Sequence, residues 1–409
     1  MRETVVDEAK RCLQCKNPRC RTGCPVNTPI RDAIGLFRSG QVEEAGKLLL
    51  DNNPLSLICS YICPQESQCE GHCVLGIKGV PVSTGSIENY ISDYYLDIAE
   101  VEKVEKNGMK VAVIGSGPAG ITISILLARK GYDVTLFENR DKIGGILRYG
   151  IPEFRLPKTV LDRYKVLLEK YDIKIRPNTN IGANLTVDDL QRDGYKSIFI
   201  GTGVWRPNKL GLKGESLANV CYAIEYLQNP DVYKLGNRVA VIGGGNTAMD
   251  VARTVLRHGS REVYVIFNRG EEDITARKIE LDYTKMDGAK FKYYKSTVGF
   301  CDEGVILRDC KVNEDGSISE IPESEEVFKV DNAIIAIGQG PRSVIVSSTK
   351  GIDVTNRGLL AVDDCGRTSR AGVFASGDVV TGAKTVVEAV RVSKRVAEAM
   401  DEYMKSLKE

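Results

Sequence analysis

The chain has 409 residues, enough for two or three domains each with its own core, and its 42% hydrophobic and 27% charged residues are ordinary for a globular protein. A net charge of +1 supplies neither the basic field that nucleic acid demands nor a polybasic patch for a membrane. No apolar run reaches the roughly 18 residues of a membrane span, and the N-terminal stretch lacks the apolar region of a secretion signal, so a cytoplasmic location is expected.

In chain order, the cysteines come first. Eight of the twelve (Cys12, Cys15, Cys20, Cys24, Cys59, Cys63, Cys69 and Cys73) fall within the first 73 residues. The first group spaces as C-x2-C-x4-C-x3-C-P; the second, Cys63-Pro64 followed by Cys69 and Cys73, runs C-x5-C-x3-C. Cuboidal iron–sulfur clusters take four ligands from short loops, with closely spaced cysteines and a proline after the last. Zinc is the rival, since C-x2-C also opens zinc sites, but those usually pair two such spacings and here there is one. A disulfide framework suits small secreted chains and is not expected. Cys221, Cys301, Cys310 and Cys365 are scattered and read as free buried thiols.

Between the cysteine groups, Ile34, Leu36, Phe37, Val42, Ala45, Leu48 and Leu49 have helical spacing, and residues 87–96 read as a second amphipathic helix. The charged stretch 100–108 reads as a linker. An α/β region follows in which one unit occurs twice: an apolar strand, a glycine turn, then a helix, at 110–120 and 238–248. Two nucleotides are therefore expected. Helix 385–405 closes the α/β region.

Gly115, Gly117 and Gly120, with Pro118 and Ala119 between them, fit G-x-G-x-x-G, a tight turn that lets a pyrophosphate approach the backbone and rest on a helix N-terminus. The next strand ends in Glu138, 18 residues beyond Gly120, where a carboxylate accepts hydrogen bonds from ribose hydroxyls. Gly144 and Gly145 make a second glycine turn of the kind flavoproteins carry. Far downstream, residues 373–378 match the flavoprotein motif whose aspartate, here Asp378 after Gly377, bonds the FAD ribityl chain. Lys384, Thr385 and Val386 would lay a helix N-terminus toward the flavin. FAD thus draws on both ends of the α/β region, which implies a split domain with another inserted.

The second turn, Gly243, Gly244 and Gly245, has Ala248 where a third glycine would stand, and alanine still allows close helix–strand packing. The following strand, 262–267, ends at Asn268 and Arg269, where nicotinamide choice is normally decided. Glu271, Glu272 and Asp273 would repel a 2′-phosphate, whereas Arg269 and Arg277 could hold one; the balance leans to NADH. Residues 331–338 look like a strand returning toward the FAD domain and bring in Ala336 and Gly338. Hydride transfer between nicotinamide and flavin needs no protein nucleophile; none is evident, and His72 and His258 read as structural. No C-x-x-C lies inside the nucleotide domains, so thioredoxin-reductase chemistry is not expected.

These motifs together resemble the glutamate synthase small-subunit family, over nearly the whole chain. The same N-terminal domain recurs in dihydropyrimidine dehydrogenase and in the large subunit of NADH-dependent ferredoxin:NADP oxidoreductase. The resemblance implies that Cys12, Cys15, Cys20 and Cys73 hold one 4Fe–4S cluster. Cys24, Cys63 and Cys69 would hold the other, with Glu88 in the place of the family's Gln or Glu ligand and Cys59 left spare. The run 144–157 closely resembles one in the family, where the arginine matching Arg155 contacts FAD; Leu147 joins that set. Asn246 and Thr247 match NAD(P)H contacts. NADPH-using relatives commonly carry two adjacent basic residues where this chain has Asn268 and Arg269.

The expected architecture is α/β, with two Rossmann-like domains in a flavin disulfide reductase-like fold preceded by a helical two-cluster domain. Its parts are 1–106 for the clusters and linker, 107–207 with 341–409 for FAD, and 208–340 for NAD(P). The expected function is that of an electron-input subunit. NAD(P)H reduces FAD, and single electrons pass through the clusters to a partner subunit carrying flavin or iron–sulfur, because no second catalytic module is in view. The alternatives are a subunit of an electron-bifurcating transhydrogenase and, from another class, a zinc- and nucleotide-binding regulator without enzymatic activity.

Overall fold

The computed structural model describes residues 2–407. The chain divides into two compact units. One comprises the residues up to Arg148, Glu153–Val204 and the chain from Pro341 onward; the other comprises Trp205–Gly340 together with Tyr149–Pro152. The cysteine-rich region is therefore part of the same unit as the first glycine turn.

That region is a helical layer built on Ile30–Arg38, Val42–Asn52, Ser56–Ile62 and Thr84–Ile98. The apolar stretch expected as one helical run is two helices, broken where Gly40 takes a φ of +83° that a β-carbon disfavours. The break lets Ile34 and Phe37 of one helix and Ala45 and Leu49 of the next face Ile87 and Ile91 in a common core. Each of the isoleucine, leucine and phenylalanine side chains, when fully buried, contributes on the order of 2 kcal/mol. Gly46 is where two helices touch, since a β-carbon there would lie 2.2 Å from that of Tyr95.

In the same unit a five-stranded parallel sheet has the order Val373–Ala375, Tyr195–Ile200, Lys110–Ile114, Asp133–Phe137, Lys174–Arg176. The strand contributed from the far end of the chain, Val373–Ala375, pairs with Tyr195–Ile200. Helix Pro118–Ala128 is buried almost all round, as expected for a helix packed on several sides. Among its neighbours is the long C-terminal helix Val386–Ser406.

The second unit has its own parallel sheet, ordered Val220–Tyr222, Asn332–Ile335, Arg238–Ile242, Glu262–Ile266, Lys290–Lys292. The strand at 331–338 thus lies inside this sheet, beside the second glycine turn, and the chain leaves the unit only after Gly340. A three-stranded antiparallel sheet, Lys295–Cys301, Gly304–Val312 and Ile318–Lys329, was not evident from the sequence. Its outer strand is mostly exposed and rich in glutamate, a composition that discourages edge-to-edge pairing. Among the described residues, no helix is long and apolar enough to cross a membrane.

Candidate functional site

The eight N-terminal cysteines are unpaired, and the fold sorts seven of them into two groups. Cys12, Cys15, Cys20 and Cys73 line one pocket together with Ile30, Ile34 and Val82. Burial pushes the Cys20 thiol up to about 11, and the charges of Cys12, Cys73 and Cys15 lie near enough to add to the rise. The other group joins Cys24, Cys63 and Cys69 to Glu88. Burial pushes Cys69 up to about 12 against a hydrogen bond from Thr84 Oγ1 at 3.1 Å, and the charges of Glu88, Glu70 and Cys24 add to it. Glu88 keeps some accessible surface, but its carboxyl is ringed by protein, and burial alone pushes it up to about 8.

Thiols that raise one another in this way need a strongly positive group to become thiolates, which an iron cluster supplies. Among the described residues no three cysteine, histidine, aspartate or glutamate side chains converge on a single metal ion. The donor sets, soft sulfur with one carboxylate in the second, fit a larger group that spans its ligands. Cys59 is 3% exposed and hydrogen-bonds Cys63, one turn away on the same backbone. His72 is structural: Nδ1 sits 2.6 Å from the Gln68 carbonyl oxygen, and the ring fills the space beside Gly23.

The first glycine turn is built for close approach. Gly115 has a φ of +95°, and a β-carbon on Gly120 would lie 1.8 Å from the Gly115 carbonyl oxygen, so helix and strand touch there. Gly117 is different: nothing lies within 4 Å of where its β-carbon would be, which leaves the helix N-terminus open to a pyrophosphate. Glu138 is buried and accepts from the Ser116 amide at 3.0 Å, the Ser116 hydroxyl and the Arg140 amide at 2.9 Å. A carboxylate has roughly four acceptor positions, so one remains for a ribose hydroxyl.

Ser116, which the motif leaves unspecified, is the residue sequence reasoning missed. Its oxygens also accept from the Gly144 amide, at 3.1 Å each, and so lock the second glycine turn to the first. Gly145 is drawn so close that its β-carbon would meet Gly117. Leu147 is fully buried and its carbonyl accepts from Lys158 Nζ at 2.8 Å; Arg155 is half-buried nearby in sequence. At the other end of the chain, Gly377 comes so near the first turn that a β-carbon on it would lie 3.1 Å from that of Ala119. Burial pushes the neighbouring Asp378 up to about 6, against a hydrogen bond from the Lys384 amide. Thr385 caps the long helix by accepting from the Glu388 amide, and Val386 begins it. Both ends of the α/β region therefore meet at one turn.

In the second unit Gly243 takes a φ of +139° and abuts the Ala336 carbonyl, while Gly244 abuts the Phe267 ring. Gly245 is the open position, with only Thr275 Oγ1 at 3.7 Å. Ala248 is fully buried, so alanine fills the third-glycine position without opening the contact. Asn246 accepts from the Arg277 amide at 2.9 Å and holds that loop, beside half-buried Thr247. Gly338 takes a φ of +92° next to Asn208. Asn268 is exposed, and Arg269 donates to the Gly316 carbonyl at 2.6 Å. Two of the three acids expected to repel a phosphate are engaged: Glu271 by Lys285 and Tyr293, and Glu272 by Tyr294. Of the scattered cysteines only Cys310 is buried, the other three being half-buried, because Cys221 lies on an edge strand, Cys301 ends a strand and Cys365 sits in a turn.

Two nucleotide-binding turns on separate parallel sheets, with a thiol-rich helical layer on the first unit, define a flavin- and nicotinamide-dependent oxidoreductase of the iron–sulfur class. Known proteins agree. Residues 109–393 match the pyridine nucleotide-disulphide oxidoreductase family, and residues 1–99 match dihydropyrimidine dehydrogenase domain II, 4Fe–4S cluster. The glutamate synthase [NADPH] small chain of Escherichia coli is 30% identical, over 97% of this chain and 91% of that one. The corresponding chain of Azospirillum brasilense is 32% identical, over 99% and 90%. In fold, FprA of Mycobacterium tuberculosis in complex with NADPH superposes with a TM-score of 0.63 at 16% identity, over 73% of this chain and 85% of that one. The chain belongs to the glutamate synthase small-chain group of the pyridine nucleotide-disulphide oxidoreductase family, and its cofactors are FAD, 4Fe–4S clusters and a nicotinamide nucleotide.

Proposed function

We propose that the chain is an electron-input subunit: it oxidises NADPH at FAD and forwards the electrons one at a time, through two 4Fe–4S clusters, to a separate protein. The observation that carries this reading is the order of the two thiol groups. Cys24 belongs to the group that lies against the FAD-binding helix: Lys394 of helix Val386–Ser406 donates to the Asn52 carbonyl at 2.8 Å and acts electrostatically on Cys24. Lys394 stands nine residues beyond the Thr385 cap, about 13 Å along the helix. The Cys12 group is half-exposed at the outer face. The inner ligands are Cys24, Cys63, Cys69 and Glu88, and the outer ligands are Cys12, Cys15, Cys20 and Cys73.

FAD supplies the conversion of a hydride pair into single electrons, and the clusters accept them. The chain's own work is placement. The turn at Gly115, Gly117 and Gly120 offers helix amides to the pyrophosphate, Glu138 a carboxylate to the ribose, and Asp378 a polar contact along the ribityl chain. Gly243, Gly244 and Gly245 do the same for the nicotinamide nucleotide. Lys285 offsets the charge of Glu271, Tyr294 engages Glu272 without changing its charge, and Arg269 and Arg277 are the cations for a 2′-phosphate. The relatives support both donor and partner. Two are named as glutamate synthase [NADPH] small chains, and a third, 30% identical over 94% of this chain and 60% of its own length, as the NADP(+)-dependent formate dehydrogenase subunit beta of Moorella thermoacetica.

The test is an anaerobic titration of the purified protein with NADPH and NADH separately, following flavin and cluster absorbance. NADPH should bleach the flavin first and the clusters after it. Bleaching by neither nucleotide would overturn the direction of electron entry, and bleaching by NADH alone would overturn the choice of donor.

A further inference from the structure

We infer that the surface around the Cys12 group, built from residues 12–21 and 74–80, docks an electron-accepting protein whose own acceptor site is ringed by acidic side chains. The inference rests on the reading that electrons leave through this group. From residue 10 to residue 31 the chain carries six cations and no carboxylate. Three are compensated: Lys10 by Asp7 at 2.8 Å, Arg11 by Glu8 at 2.6 Å and Arg31 by Asp32 at 2.5 Å. Lys16, Arg19 and Arg21 are exposed and have no ion-pair partner among the described residues, and Lys78 joins them from the second loop.

The two loops form one face. Arg11 donates to the Val80 carbonyl at 2.5 Å and to the Pro81 carbonyl at 3.3 Å, and Cys73 lies within electrostatic reach of Cys20. Between the cations the face is apolar. Leu13, inside the C-x2-C loop, is 60% exposed, Ile77 65% and Val80 72%. An apolar centre with an uncompensated cationic rim is the complement of an acidic protein surface with an apolar middle. An anionic lipid surface would match charge and apolarity as well, but it accepts no electrons, and the candidate cluster ligands stand in the middle of this face. The balance is one NADPH giving two electrons to two one-electron acceptors, with NADP+ and one proton released.

The experiment uses the full chain with its cofactors and two probe acceptors, a small acidic ferredoxin and basic cytochrome c. Reduction of the ferredoxin should slow steeply as salt rises, and Lys16→Glu, Arg21→Glu and Lys78→Glu together should raise its KM at least tenfold while favouring cytochrome c. Flavin bleaching by NADPH should keep its rate in that variant. A second variant, Leu13→Ser with Ile77→Ser, should raise KM without changing the salt slope. Running the same assay on protein reduced with dithionite separates the two ideas: a chain that NADPH fails to bleach defeats the proposed function, yet its outlet is still measured. An unchanged ferredoxin KM and salt slope in the charge-reversed variant would overturn the docking surface. So would unchanged acceptor kinetics with loss of binding to phosphatidylglycerol vesicles, which would assign the face to a membrane.

Discussion

Lys394 Nζ donates to the backbone carbonyl of Asn52 at 2.8 Å, joining two residues 342 positions apart. Asn52 Nδ2 in turn contacts Thr28 Oγ1 at 3.5 Å, and Thr28 Oγ1 lies 3.2 Å from Cys24 Sγ. A half-buried cation on helix Val386–Ser406 is thus connected by hydrogen bonds to Cys24, a proposed ligand of the inner cluster. Burial lowers the Lys394 pKa, and the Cys24 charge opposes that fall. A positive charge here favours the reduced, more negative cluster. Lys394→Met should shift the inner cluster's potential downward, on the order of 60 mV, a tenfold change for one electron. Lys394→Arg should largely preserve it. A redox titration followed by electron paramagnetic resonance checks this, and the outer cluster should not move.

Glu88→Ala should alter one cluster only. Glu88 acts electrostatically on all three of Cys24, Cys63 and Cys69, so its loss removes the proposed fourth ligand of that set and leaves Cys12, Cys15, Cys20 and Cys73 untouched. Iron and acid-labile sulfide should fall toward half, or the low-temperature spectrum of one cluster should change. Two unchanged clusters would remove Glu88 from the ligand set.

The glycines of the first turn should separate folding from binding. At Gly120 a methyl group would lie 1.8 Å from the Gly115 carbonyl oxygen, against backbone that cannot yield cheaply. Gly120→Ala should destabilise the unit by roughly 1–3 kcal/mol, the usual range for overpacking, and lower the melting temperature of the flavin-free protein. Gly117→Ala meets nothing within 4 Å, so that melting temperature should hold while FAD is lost. Gly245→Ala is the counterpart in the second unit, raising KM for the nicotinamide nucleotide with the flavin spectrum intact.

Asp401 should make the C-terminal helix acid-sensitive. It is buried and accepts from Tyr132 Oη at 2.7 Å, Lys405 Nζ at 2.9 Å and Lys130 Nζ at 3.0 Å. Burial by itself would raise its pKa, but the hydrogen bonds and the Lys130 charge outweigh it and hold the carboxyl below its usual range. A depressed folded-state pKa contributes stability that is present above the unfolded value, about 3.9, and is lost as pH falls through the folded value. Asp401→Asn should lower stability near neutral pH by roughly 1.5–3 kcal/mol and flatten its dependence on pH below about 4. Thermal melts across the acid range measure both effects.

What could be read in the sequence were features that act over a few residues. The G-x-G-x-x-G turn and the glycine pair at 144–145 are local because backbone conformation and helix N-termini are local properties. The two thiol groups could be written down because spacing limits which short loops can converge, though their partition came from resemblance, and of the scattered cysteines expected to be buried only Cys310 is fully so. The long helical stretch at 34–49 kept its apolar face while hiding its break, since Gly40 costs little to a periodicity argument and decides the backbone. The antiparallel sheet at 295–329 escaped because its outer strand, mostly exposed and charged, lacks the apolar alternation that marks a half-buried strand.

By itself the sequence determined the cofactor classes and the repeat of strand, turn and helix. Tertiary structure alone decided which distant groups meet. It set Gly377 against Ala119 of the first turn, made Ser116 the link between Glu138 and Gly144, and set Lys394 on Asn52 beside Cys24. None of these pairings has a local signature: each depends on the register of a parallel sheet or on helix packing, where the burial of many apolar side chains fixes positions that no short motif encodes.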